Sequence, residues 1–408
     1  MNSTDKLVSR LRKAERKGHL RAYALIAPLF IFLAMSFLMP LVSVLLNSFY
    51  DPIVPEGLPR TVAALQQWNG SRTLVPPEPV FEALAQDLKL AMDTEKASPM
   101  ATRLNFEETG SRTIFMRAAR KVGAQEVGPW KPFFEQVDPG WAQPAIWGTI
   151  RNLHSSTHTL FFLQAVDLRR QSNGEVAQQP EDQRIYINIF LRTVGVALSV
   201  TLACLALGFP IAYLLAHLRD KTANMLLILV LLPFWTSLLV RTTAWVVLLQ
   251  KEGVVNSLLG GLGLISEPLP LIFNRFGVVV AMTHILLPFT ILPLYSVMRS
   301  IPPSFVRAAR SLGADPFTAF WRVYLPQCLP GISAGALLVF ILSLGYYITP
   351  ALVGGATDQM ISYFIADNLG RSLNWGLASA LSAILLAAVL ALYAAYDRVV
   401  GVTNVRFG

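Results

Sequence analysis

IPPSFVRAARSLGADPFTAFWRVYLP, residues 301–326, is a polar and basic hairpin between two long apolar segments. Pro302-Pro303 ends the preceding apolar helix. Ser304 is positioned as an N-cap, its hydroxyl accepting from an unpaired backbone N–H of the next turn. Phe305, Ala308, Ala309 and Leu312 follow at i, i+3, i+4 and i+7, which gives a short helix one apolar, small-residue face. Gly313 supplies the left-handed residue that closes such a helix. Asp315 and Pro316 open a second helix, with an acceptor at the N-cap and proline at the first helical position. Leu325-Pro326 marks the return to apolar sequence.

What surrounds the hairpin is membrane sequence. The chain has 408 residues, 53% apolar and 14% charged, outside the range of soluble domains. Six runs reach the ~20 apolar residues that cross a ~30 Å hydrocarbon core. They cover about 22–49, 187–216, 223–249, 277–297, 325–344 and 375–396. The first follows Lys6, Arg10, Arg12, Lys13, Arg16, Lys17 and Arg21; it is too long for a signal-peptide core and has no small-residue cleavage site, so it reads as an uncleaved span. Cys204 and Cys328 fall in or beside apolar runs, so no disulfide framework is implied.

The charge of +9 is unevenly placed, because residues 51–185 carry 14 Lys and Arg against 16 Asp and Glu. With the N-terminus inside, the short cytoplasmic segments hold 15 Lys and Arg and the short outer loops 3. That bias sets both termini and the 301–326 hairpin in the cytoplasm. It also accounts for the positive charge without nucleic acid as a partner. Lipid bilayer is the first partner the sequence implies.

The run Arg307-Ala308-Ala309, three residues, Gly313, nine residues, then Val323-x-Leu325-Pro326 resembles the cytoplasmic "EAA" loop of membrane subunits of ATP-binding-cassette (ABC) importers. Arg307 stands where that family has Glu. PFWTSLLVRTTAW (233–245) and GYYITPALVGG (345–355) narrow the likeness to the spermidine/putrescine-type permeases, over roughly 22–50 and 187–398. The resemblance implies an all-α membrane protein: six transmembrane helices of the type I ABC importer permease fold, with a mostly helical periplasmic insertion between helices 1 and 2. It implies a bacterial inner-membrane permease that carries a polyamine or related small amine or amino-acid solute by alternating access. The expected partners are a second homologous permease subunit, two ATPase subunits and a periplasmic substrate-binding protein. Arg307, Ala308, Ala309, Gly313, Leu325 and Pro326 would couple to the ATPase.

Three parts are therefore expected: 1–50, the basic N-terminus and first span; 51–185, a periplasmic domain; and 186–408, the permease core. In the insertion, 80–92, 112–122, 141–153 and 158–168 read as amphipathic helices, with Trp68, Trp130, Trp141 and Trp147 available to seed a core. It is either a lid on the outer face or a docking surface for the binding protein.

No G-x-x-x-x-G-K-[ST] phosphate loop occurs, so ATP and Mg would be bound by the partner ATPase and the chain itself is read as no enzyme, without cofactor or metal. His154 and His158 stand i, i+4 but lack a third ligand, and packed or solvated histidines are the preferred reading. Arg241 lies within a span, ~12 Å from its outer end. A charge there costs at least ~2.5 kcal/mol unless it faces a protein or water-lined interior. It is either a pathway residue or a structural, snorkelling one. At 344–355, Gly345, Pro350, Gly354 and Gly355 favour an unwound, re-entrant segment, tolerated only where it lines a cavity or is buried in protein. A short helix at 360–369 is expected to dip back beside it. Tyr346 and Tyr347 suit cation–π contact with an amine or, equally, the interfacial aromatic belt. Trp235 joins these as a pathway candidate.

Two other classes compete. An ion-coupled secondary carrier wants carboxylates well inside its spans, and Asp358, Asp367 and Asp397 sit at or beyond helix ends. A membrane sensor with a periplasmic ligand domain wants a signalling domain after its last span, where about a dozen residues remain.

Overall fold

The computed structural model describes residues 23–400, with side chains to 398. The basic segment before Tyr23 and the tail after Val400 lie outside the described residues. The chain divides into two compact units, Met1–Phe161 with Gln171–Gly174, and Phe162–Arg170 with Glu175–Gly408.

In the first unit, Tyr23–Asn47 is one helical run with a mean hydropathy of 2.6 and no buried residue in its most apolar window. Such a helix is stable only with hydrocarbon around it. After it, Glu78–Asp93, Ala97–Glu107, Ser111–Lys121, Trp130–Val137 and Pro144–Asn152 fold as helices around an aromatic core. Phe81 meets Trp147 edge-on at 4.7 Å between centroids, and Phe134 meets Trp141 at 5.3 Å. Trp141 and Trp147 are fully enclosed and Trp130 nearly so. Trp68, expected in the core, is not: its ring lies under the Arg151 guanidinium at 4.8 Å. The helix expected over 141–153 begins only at Pro144, because Asp138 caps a 3-10 turn at Pro139–Ala142.

The helix expected over 158–168 is only Leu160–Ala165, and the second unit begins within it at Phe162. It gives way to a two-stranded antiparallel hairpin, Leu168–Arg170 with Val176–Gln178, which turns at the left-handed Gly174. Periodicity in 158–168 missed this, since six apolar-rich residues fit either period. The unit is otherwise helical. Tyr186–His217, Arg275–Ser300 and Leu325–Leu344 form its centre, packed through Val200, Cys204, Met282, Leu286 and Val339 near one end. Leu215, Ile291, Leu294 and Cys328 fill the other end. Gly331 and Gly335, one turn apart, bring two of these helices to backbone contact. A Cβ on Gly335 would stand 3.2 Å from the Thr290 carbonyl oxygen. Small residues at such a crossing replace the hydrophobic drive that lipid removes.

Among the described residues five helices are long and apolar enough to cross a membrane, or six if a bent pair counts as one span. That pair is the third expected span. Asp220–Trp235 and Leu238–Gly261 meet at 96° rather than continuing straight. Pro233 has no N–H to give the helix, and Thr236 and Ser237 are extended, at ψ 148° and 143°. Trp375–Val400 is the last helix among the described residues.

Candidate functional site

The elbow folds as a helix at Pro303–Ser311. Pro302 is its N-cap and Pro303 its first residue, so Ser304 lies inside the helix and its side chain makes no cap bond. Proline at the first position needs no N–H acceptor and already holds helical φ, which moves the start one residue earlier. At the other end Gly313 has φ +91°. Its N–H donates to the Arg310 carbonyl at 3.0 Å and that of Ala314 to Ala309 at 3.1 Å, the paired bonds of a left-handed helix stop. Asp315 then accepts from the N–H groups of Phe317 and Thr318, at 2.9 and 3.1 Å. Bonds from the Thr318 hydroxyl and these amides hold the Asp315 carboxyl below its ordinary range.

Beyond Asp315 the second helix runs on through Leu325-Pro326, where the apolar sequence resumes. Pro316–Leu344 is a single helical run of 29 residues. A π-turn at Phe320–Tyr324 widens the backbone just before Pro326, where a normal turn would press the ring on the carbonyl four residues back. Leu325 and Pro326 thus continue the helix instead of restarting it.

The elbow helix has two unlike faces. Phe305, Ala308 and Leu312 are exposed, Leu312 at 90%, with Ala309 half-buried beside them. Pro303, Val306, Arg307 and Arg310 lie on the opposite side and line a cavity of about 470 Å³ with Tyr213, His217, Phe320 and Tyr324. Arg307, expected to act with Ala308 and Ala309, thus faces a different way from Ala308.

The second group of candidates surrounds the bent span. Because its second half starts at Leu238, Arg241 is in the first turn of that half, not deep in one long helix. Arg241 is half-buried, with Nε enclosed and lacking a hydrogen-bond partner. It lies within electrostatic reach of His284 and of Tyr346. Trp245, one turn on, donates its indole N–H to His284 Nδ1 at 3.1 Å. The Thr242 and Thr349 hydroxyls are 3.1 Å apart. Leu344 ends its helix as expected, and short helices follow at Ile348–Val353 and Ile361–Gly370. Tyr347 is exposed and faces Tyr363, ring centroids 6.2 Å apart. The structure therefore sets Arg241 within electrostatic reach of Tyr346, pairs Tyr347 with Tyr363, and leaves Trp235 78% exposed at the bend. His284, Trp245 and Tyr363 belong to these clusters and were not singled out from sequence. Apolar spacing gives no register between separate spans, so nothing in the sequence pairs Trp245 with His284.

Residues 208–406 match the family described as "Binding-protein-dependent transport system inner membrane component". The chain is 34% identical over 212 residues to the spermidine/putrescine transport system permease protein PotB of Haemophilus influenzae, covering 51% of this chain and 74% of that one. It is 36% identical over 198 residues to PotB of Escherichia coli, covering 48% and 72%. A chain from the crystal structure of a bacterial alginate ABC transporter, in complex with an alginate pentasaccharide-bound periplasmic protein, is similar at 19% identity and a TM-score of 0.42, over 52% of this chain and 77% of that one.

The chain belongs to the binding-protein-dependent transport system inner membrane components: it is a multi-pass permease subunit of an ATP-driven ABC importer with the type I fold. The ATPase of such an importer is a separate subunit, and a binding protein is its other partner. Residues 51–185 lie outside the matched family region.

Proposed function

We propose that this permease carries a polyamine or a closely related small amine. The observation that supports this most is 36% identity, over 198 residues, to a permease named for spermidine and putrescine. The tyrosines fit that substrate class. Tyr346 at the break, and the facing rings of Tyr347 and Tyr363, offer π faces to an ammonium group. A guanidinium repels an ammonium, so Arg241 acts on helix packing at the gate rather than as a substrate ligand. Trp235, exposed at the bend, lines the approach.

The assembly we infer has this subunit, a second homologous permease, two ATPase subunits and a periplasmic binding protein. Both termini and the elbow lie in the cytoplasm, as the excess of Lys and Arg on the short loops supports. ATP and Mg are held by the ATPases, whose closure draws the elbows together. The elbow helix transmits that movement through Ala308, Ala309 and the Gly313 stop, and the unbroken Pro316–Leu344 helix, with Leu325 and Pro326 inside it, carries it into the bundle. The paired bundles then rock between inward and outward openings. Residues 51–185 form the periplasmic part, between a first region ending at 50 and the core from 186.

Uptake of labelled spermidine and putrescine, by the complex in proteoliposomes with ATP enclosed on the ATPase side, tests the substrate. Saturable uptake of either that needs the binding protein is expected. Transport of another solute in preference to both would overturn the amine assignment.

A further inference from the structure

The cavity behind the elbow helix is a site nothing above assigns. Among the described residues its walls carry Arg299, Arg307 and Arg310 and no carboxylate. Arg299 is already engaged, through Ala216 O at 3.0 Å and an ion pair with Asp220. Arg307 and Arg310 have no ion-pair partner among the described residues. The floor is aromatic: Tyr213 and Phe320 stand edge-on at 6.0 Å, and Phe320 stacks with Tyr324 at 5.8 Å. Tyr186–His217 and Arg275–Ser300 both end here and Pro316–Leu344 begins here, which sets the cavity at the polar edge of the bilayer.

We propose that this cavity binds the phosphate headgroup of an anionic phospholipid. The two guanidiniums take the phosphodiester, and the apolar wall takes the first part of the glycerol and acyl chains. The carbonyl ends of two spans oppose an anion here, with about half a charge each. Arg299 offsets one of them, since it caps the Ala216 carbonyl, and Arg307 and Arg310 contribute two full charges against what remains. A bidentate fork suits a phosphate, whereas a solvated nucleic acid or acidic peptide would not fill an apolar wall at membrane depth. The choice of the inner leaflet rests on the cytoplasmic placing of the elbow proposed above.

The test uses the whole importer complex, purified in mild detergent and incubated in mixed micelles with labelled phosphatidylglycerol or phosphatidylcholine. Lipid that stays with the complex through size exclusion is counted. Wild type retains phosphatidylglycerol in preference to phosphatidylcholine. Replacing both arginines, Arg307→Gln with Arg310→Gln, weakens that retention about thirtyfold, at about fivefold per basic group. Arg307→Lys with Arg310→Lys keeps most of it, which separates lost charge from lost folding. Equal retention in the glutamine variant overturns the site. Release of phosphatidylglycerol by inorganic phosphate overturns the lipid and leaves a free-anion site. ATPase in the same preparation is scored separately: its absence counts against the importer assembly, while lipid retention is still read on the permease.

Discussion

Asp51 and Arg103, 52 residues apart in sequence, form an ion pair in which both side chains are almost fully enclosed, at 4% and 3% exposure. His158 Nε2 lies 3.2 Å from the same Asp51 oxygen, and Glu107 pairs with Arg103 at 2.8 Å. Asp51 stands four residues after the first membrane helix ends, so this pair anchors the exit of that helix into its own unit. A buried charge left without its partner costs about 3–5 kcal/mol. Arg103→Met leaves Asp51 with His158 alone and strands Glu107, and it is expected to destabilise the first unit by up to about that amount. Tryptophan fluorescence during thermal unfolding reads it, since Trp141 and Trp147 are buried in the same unit. An unchanged midpoint would show that the pair contributes nothing net.

The same carboxylate gives a pH dependence of fixed sign. Burial alone pushes the Asp51 pKa up; the His158 hydrogen bond and the Arg103 charge outweigh it and bring it from 3.8 down to about 2. A carboxyl with a depressed folded pKa stabilises the protein above its unfolded value and loses that contribution as pH falls through the folded one. Asp51 thus contributes about 2 kcal/mol above pH 4, lost between about pH 4 and pH 2. Asp51→Asn should flatten the acid limb of the unfolding midpoint in that window. If the variant and wild type lose stability in parallel there, the assignment fails.

Gly313 has nothing within 4 Å of where a Cβ would stand, so space is not what requires glycine there. The requirement is its φ of +91°. A β-branched residue resists that conformation by about 1–2 kcal/mol or more, and the two bonds that stop the helix depend on it. Gly313→Val is expected to block uptake while the protein remains in the membrane. Gly313→Asn, which tolerates the left-handed region better, should keep a measurable share. Uptake with immunoblotting of membranes checks both; normal transport by the valine variant would remove the elbow from the coupling path.

How far the sequence reached depended on how local each feature was. Gly313, Asp315 and the break after Leu344 follow from the chemistry of one or two residues, and the structure has them. The π-turn at Phe320–Tyr324 and the 96° bend after Trp235 depend on how a proline is accommodated by its surroundings; the first lies just before the apolar run that starts at 325, and the run at 223–249 reads straight through the second. Arg241 was found because a charge in an apolar run is conspicuous in one dimension. Its neighbour His284 comes from another helix and Tyr346 from the break after Leu344, and their meeting is a matter of packing. The Asp51–Arg103–His158 cluster escaped for the same reason.

Leu312 is 90% exposed and Phe305 50%, on the face of the elbow helix turned away from the cavity. An exposed apolar pair on a short basic helix is what a partner groove covers. Phe305→Asp or Leu312→Asp should therefore release the ATPase from the purified permease, with little effect on the permease's own unfolding. Arg307→Gln, on the cavity side, should leave ATPase capture nearly intact. Pull-down of the ATPase by tagged permease separates the two faces. Capture by the Leu312→Asp protein equal to wild type would mean the ATPase grips some other surface.

Arg241 keeps Nε enclosed without a hydrogen-bond partner, beside the Trp245–His284 pair and near Tyr346. A buried donor left unpaired costs about 1–3 kcal/mol, which a static structural role would not retain without compensation. A partner made only in the other conformation, as a gating residue would have, would offset that cost. Arg241→Ala then removes a contact of one state and shifts the balance between the two. Uptake should fall by at least tenfold, the equivalent of about 1.4 kcal/mol, while the assembled complex still hydrolyses ATP. Arg241→Lys, which keeps the charge but not the planar fork, should fall between. Were transport and ATP hydrolysis to drop together, with the complex dissociating, Arg241 would be holding the bundle together and not gating it.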